Sequence, residues 1–212
     1  MSKPVIHGFP ESSYVRTTRM ALEEKGVDYE VQPIEFGSAE HLEMHPFGKM
    51  PWMTHGDVTL YETSAITRYV DENFDGPALQ PVDAVERARM SQWISAIIDY
   101  YYGPLIREYV IERAVVPRRG GVTDEARVAA ALPVVRDRID VVEKSLADVH
   151  FLAGAGFSLA DCFLAPIFFY VGMMAEGPEL FANKPKIADW KARIFEMDNF
   201  KSTMPPQPEA AE

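Results

Sequence analysis

A proline directly ahead of a short apolar stretch, in Lys49-Met50-Pro51-Trp52-Met53, constrains this chain more than any other feature. Proline has no N–H to give to a sheet ladder, so it belongs at the first position of a strand, where a cis X-Pro bond would turn the chain sharply. Such a bend leaves the main-chain groups of Met50 outside the ladder, open to a small molecule that carries its own amide backbone. Downstream, Tyr61-Glu62-Thr63-Ser64 opens an apolar-periodic segment with Ala65, Ile66, Tyr69 and Val70. Unpaired N–H groups and the positive end of a helix dipole then face whatever lies ahead of it, which favours a carboxylate.

Upstream, Val5 to Gly8 reads as a short strand running into the loop Phe9-Pro10-Glu11-Ser12-Ser13. A helix follows, with Val15, Met20, Ala21 and Leu22 as its apolar positions and Gly26 where a left-handed C-cap is wanted. Tyr29 to Ile34 alternates as a second strand, and Glu35 to Glu43 reads as a loop with one helical turn. Trp52-Met53-Thr54 and Val58-Thr59-Leu60 flank His55-Gly56-Asp57 as a hairpin. This order makes an α/β domain over residues 1–76, a Gly/Pro-rich linker over 77–81 and a second domain over 82–212. Beyond Val82 only helical spacing recurs, in 84–109, 123–149 and 158–176, so the second domain is expected to be all-helical. Ser158 with Asp161 three residues on forms a capping box, which is a folding signal. The helix behind it is apolar on nearly every face and should be buried.

Composition removes several classes of function. A formal net charge of −11 sets the chain as a whole against nucleic acid and anionic membranes. The single cysteine, Cys162, excludes an internal disulfide framework and a Cys-x-x-Cys pair, and reads as a small buried hydrophobe. No apolar run reaches the ~18 residues that span a bilayer, and Met1-Ser2-Lys3-Pro4 holds no apolar signal core, so a cytoplasmic location is the default expectation. His7, His41, His45, His55 and His150 show no ligand spacing, so no metal is expected, and no glycine-rich phosphate loop occurs.

A serine-rich loop, then His45-Pro46-Phe47-Gly48-Lys49-Met50-Pro51, then Glu62-Thr63-Ser64-Ala65-Ile66, and far downstream Gly156-Phe157-Ser158-Leu159-Ala160-Asp161, resembles the cytosolic glutathione transferases of the serine type, phi-, theta- or zeta-like. The resemblance covers roughly residues 4 to 200 and implies a thioredoxin-like N-terminal domain followed by an all-α C-terminal domain. It also implies glutathione as co-substrate, held as a thiolate for attack on a small apolar electrophile, and a homodimer. A free thiol has a pKa of about 8.5, and a hydroxyl donor at a helix N-terminus can lower it by roughly one to three units. Ser12 matches the family's active serine, with Ser13 as the near alternative and Tyr14 the choice for a tyrosine-type member. A Ser-Ser pair before a helix can equally be only an N-cap.

The resemblance further implies that Glu62 and Thr63 receive the γ-glutamyl end of the tripeptide, Met50 and Pro51 its cysteinyl backbone, and Lys49 and His41 its remaining polar groups. Thr63 departs from the family's serine by a methyl group. Phe9, Phe36 and Tyr101, from the run Tyr100-Tyr101-Tyr102, are candidates for the electrophile site, expected where the two domains meet. Three successive helical residues fan over about 200°, so one of these tyrosines should be core and one exposed. A glutathione-dependent lyase, isomerase or dehalogenase would use the same thiolate, and a noncatalytic ligand-binding or assembly module would lack it.

Overall fold

The computed structural model describes residues 2–205 and contains a small α/β unit and a helical unit. The sheet of the first unit has the order β2-β1-β3-β4. Strand β1 (Val5–His7) pairs in parallel with β2 (Glu30–Gln32) and antiparallel with β3 (Trp52–His55). β3 turns back on β4 (Val58–Tyr61) through Gly56-Asp57, where Gly56 takes φ +59° as the first central residue of a two-residue hairpin requires.

Helix α1 (Ser13–Glu24) connects the parallel pair and ends in a Schellman motif. Gly26 adopts φ +68°, its N–H donates to the Glu23 carbonyl at 3.0 Å, and the Val27 N–H donates to the Leu22 carbonyl at 3.0 Å. The predicted helical turn after β2 is the short α2 (Ala39–Met44), capped by the Ser38 hydroxyl. Helix α3 (Thr63–Asn73) packs against α1 and the sheet, and Ile6, Val15, Leu22, Met53, Ile66 and Val70 are fully buried between them. This is the core that the sequence pattern calls for.

The Gly/Pro-rich gap after α3 is fastened to the first unit. The Asp71 carboxylate accepts from the Leu79 and Gln80 N–H groups at 2.8 and 3.1 Å, and Lys25 Nζ donates to Asp71 and to the Pro77 carbonyl, each at 3.1 Å. Both side chains of this ion pair are buried, a setting in which losing one partner strands the other.

The helical unit spans Pro81–Phe195. Helix α4 (Ala84–Ala96), N-capped by Asp83, runs on through Ile97–Val115 in the wider i→i+5 winding of a π-helix and ends in the short α5 (Val116–Arg118). Helices α6 (Glu125–Ser145), α7 (Leu159–Met173), α8 (Gly177–Phe181) and α9 (Pro185–Phe195) complete it. As its composition predicts, α7 is buried on every side, from Leu159 through Phe168. The Asp161 carboxylate at its start accepts from the Ser158 N–H (3.0 Å) and hydroxyl (2.9 Å), the Leu152 N–H (3.0 Å) and Trp190 Nε1 (2.9 Å).

Among the described residues, 196–205 group with the first unit, whereas the sequence pattern assigns 82–212 to the helical domain. The reason is a set of contacts on the outer side of α1. Arg16, wholly buried, donates from Nε to the Thr203 carbonyl at 3.0 Å and lies 4.8 Å from the Phe200 ring. Asn199 of helix α10 (Asp198–Ser202) donates to Glu24 at 2.6 Å. Among the described residues no helix is long and apolar enough to cross a membrane.

Candidate functional site

Strand register builds the site. His7 pairs with Gln32 and Trp52, and Trp52 with Tyr61, so one row of residues ends the sheet on one side. The loop that follows β1 and leads to Ser12, the segment Lys49-Met50-Pro51 that enters β3, and Glu62, which follows β4, all leave the sheet from that row. Segments far apart in sequence are thereby brought to one edge, and the two helices that begin there, α1 and α3, pack against each other.

Close contacts hold these segments. The Phe9 N–H donates to Met50 Sδ at 3.5 Å. Gly8 leaves no room for a side chain, since a Cβ there would lie 2.6 Å from Val15 Cγ2 and 3.4 Å from Met50 Cβ. The Met50–Pro51 bond is cis, as expected. The N–H and C=O of Met50 make no hydrogen bond among the described residues, which leaves them available to an extended ligand.

Ser12 is the N-cap residue of α1, is half-buried and makes no side-chain cap bond, and no acidic residue occupies the first helical turn. Its hydroxyl is therefore unspent beside the uncompensated positive end of a helix. Ser13 is 4 % exposed and its buried hydroxyl has no hydrogen-bond partner among the described residues, while Tyr14 is half-buried. Glu62 is exposed and caps α3 from φ +68°, ψ 115°, a conformation that costs a non-glycine residue about 1–3 kcal/mol and clusters at ligand sites. Its carbonyl closes the first turn through Ala65 and Ile66, and its carboxylate makes no ion pair among the described residues. Thr63 is buried as the first residue of α3, and Lys49 is exposed with no ion pair among the described residues.

His41 departs from expectation. It is 1 % exposed, its Nδ1 accepts from the Gly37 N–H at 2.9 Å, and its Nε2 donates to the Lys49 carbonyl at 2.8 Å. With both nitrogens spent on the chain it braces the loop that presents Lys49 and Met50, and the contact with a ligand carboxylate expected of it has no free atom to make. Phe36, 55 % exposed, lies 4.8 Å from the His41 ring, which in turn lies 5.4 Å from Trp52. Phe9, half-buried, and Phe36 are in the α/β unit, whereas Tyr101 is 2 % exposed within the helical unit, with Tyr100 beside it 59 % exposed.

His45 lies beside this strand row, against Tyr61. It is buried, its ring lies 5.2 Å from Tyr61, and its Nδ1 has no partner among the described residues. Burial pulls its pKa below the ordinary histidine value while the Glu62 charge pulls the other way, and burial lowers that of His7 as well. A histidine whose pKa is lower in the folded state takes up its proton more readily when unfolded, so the unfolded chain binds more protons below about pH 6.5 and stability is lost as pH falls. The thermal midpoint should hold level above neutrality and decline as acid is added below that value. His45→Asn should flatten part of the decline. A midpoint that does not change between pH 7.5 and 5.5 would refute this.

Residues 6–78 match the family model described as the glutathione S-transferase N-terminal domain, and residues 98–198 the one described as the glutathione S-transferase C-terminal domain. The chain is 31% identical over 197 residues to a glutathione S-transferase of Hyoscyamus muticus, covering 90% of this chain and 92% of that protein. It superposes with a TM-score of 0.88 and 28% identity on glutathione S-transferase III in apo form, over 98% of this chain and 100% of the other. It does so with a TM-score of 0.85 and 27% identity on the theta class enzyme from Xanthomonas axonopodis pv. citri with glutathione bound, over 96% and 97% of the two chains.

Proposed function

The chain belongs to the glutathione S-transferase family, and on that premise we propose that its α/β unit binds glutathione along the edge where Ser12, Met50 and Glu62 meet and activates the thiol there. The main chain of Met50 pairs with the cysteinyl residue as an added strand would. Glu62 faces the ammonium of the γ-glutamyl end, and the N-terminus of α3 with the Thr63 hydroxyl takes its carboxylate. Lys49, exposed and unpaired among the described residues, is placed for an acidic group of the tripeptide.

With the tripeptide so held, its sulfur lies at the start of α1. The Ser12 hydroxyl donates a hydrogen bond to the thiolate and keeps its own proton, while the helix N-terminus favours the negative charge. The ligand's thiol proton leaves to solvent. The sulfur lone pair then forms the bond to an electrophilic carbon, and the leaving group departs with the displaced electron pair. Binding orients the nucleophile and lowers its pKa, and Phe9 and Phe36 offer apolar surface to the electrophile. The observation that carries this reading is the shared strand row, which brings an uncommitted hydroxyl, an uncommitted main-chain pair and an uncommitted carboxylate to one edge. The enzyme is further proposed to be a cytoplasmic homodimer, a reading supported by the resemblance and by a lone buried cysteine, which suits a reducing compartment.

Calorimetric titration with glutathione tests the γ-glutamyl assignment. Glu62→Gln keeps the size of the side chain and removes its charge, so affinity should fall about tenfold, the value of one charge-assisted hydrogen bond. Unchanged affinity would remove Glu62 from the site.

A further inference from the structure

We propose that the Met50 side chain is a positioning residue for Ser12, its thioether sulfur fixing the direction in which the loop after β1 presents the hydroxyl. The inference rests on the glutathione reading above and gives that site a side chain where the reading uses only the main chain of Met50. Both main-chain groups of Phe9 are committed. Its N–H donates to Met50 Sδ at 3.5 Å, and its carbonyl accepts from the Ser12 N–H at 2.9 Å, which closes the turn Phe9-Pro10-Glu11-Ser12. Proline at the second position of such a turn holds φ at about −65°, so the turn is stiff. Whatever sets the direction of Phe9 at one end therefore sets Ser12 at the other.

The sulfur is itself held in place. It lies against Gly8, where a Cβ would stand 3.5 Å from Met50 Sδ and 2.6 Å from Val15 Cγ2, so a bare backbone lets the thioether and the first turn of α1 close on the loop from two sides. Next to Met50 in the chain, the Lys49 carbonyl is braced by His41 Nε2 at 2.8 Å. A thioether is a weak acceptor, so this contact aims the loop and adds little to stability. Aim matters here, because a reacting group displaced by about 1 Å can cost about a hundredfold in rate.

Two variants of the full-length protein test this. Met50→Leu keeps the apolar volume and removes the acceptor, and Met50→Gln returns an acceptor on a side chain of similar length. Thiolate absorbance of bound glutathione, followed against pH, should show Met50→Leu raising the thiol pKa by at least about half a unit, or about threefold in thiolate at neutral pH, with kcat falling to match. The KM for glutathione should stay within about twofold, since the main chain that holds the cysteinyl residue is unchanged. Met50→Gln should recover most of the shift, and the thermal midpoint should barely move in either variant. Added to Ser12→Ala, Met50→Leu should shift the thiol no further, because the tie acts through Ser12. A shift in Ser12→Ala with none in Met50→Leu would overturn the inference and leave the glutathione reading standing. So would additive shifts in the double variant, or a glutamine variant no better than the leucine one. No shift in either single variant would remove Ser12 from the chemistry, and the inference falls with it.

Discussion

Ser12→Ala is expected to raise the pKa of bound glutathione by about one to three units, the span over which a hydroxyl donor at a helix N-terminus acidifies a thiol. Because each unit is a tenfold change in the thiolate fraction on the acid side, turnover at neutral pH should fall about ten- to thousandfold. Affinity for the tripeptide should change little, since the groups that hold its two ends are elsewhere. The ultraviolet absorbance of the bound thiolate, followed against pH, reports this directly. Stability is the discriminating control. A serine that serves only as an N-cap loses about 1 kcal/mol on replacement by alanine. Ser12 makes no such bond, so the thermal midpoint should barely move. Loss of stability without a shift in the thiol would return Ser12 to a folding role. A shift seen in Ser13→Ala or Tyr14→Phe, and not in Ser12→Ala, would transfer the assignment to that residue.

The largest expected effect on folding lies far from this chemistry. Asp161→Ala removes the acceptor shared by the Leu152 and Ser158 N–H groups, the Ser158 hydroxyl and the Trp190 indole, all of them buried. An unsatisfied buried donor costs about 1–3 kcal/mol, and Trp190, wholly buried, cannot turn to water. The total should be on the order of 4 kcal/mol, or about 8–16 °C in the midpoint of a chain this size. Ser158→Ala, which spares the other donors, should cost only about 1 kcal/mol. Thermal unfolding followed by circular dichroism separates the two. If Asp161→Ala costs no more than Ser158→Ala, the carboxylate is not the tie between α7 and α9.

Most of the fold can be read from the chain because its punctuation is local. Gly26 marks the end of α1, Gly56 the hairpin and Pro51 the entry to β3, and each stands where its backbone conformation requires it. What escaped was decided by packing. α8 and α10 are five residues each, too short to show a 3.6-residue period, and nothing in the sequence near Asn199 announces that Glu24 awaits it or that Arg16 awaits Thr203. The candidate site divides in the same way. Residue type and order singled out Ser12, Met50 and Glu62, and the strand row explains why they gather. The sequence could not show that both nitrogens of His41 are used to hold a loop, because that depends on where Gly37 and Lys49 end up. Nor does the order Tyr100-Tyr101-Tyr102 tell which ring turns inward; the winding of the helix from Ile97 decides it.

The return of the final segment to α1 has a consequence for biosynthesis. The outer side of the helix that carries Ser12 is covered by Phe200 and Thr203, which emerge only after the whole stretch from Pro81 to Phe195 has been translated. At ordinary elongation rates that delay is on the order of ten seconds. The part of the polypeptide that is made first is thus finished last, once Thr203 is there to accept from Arg16.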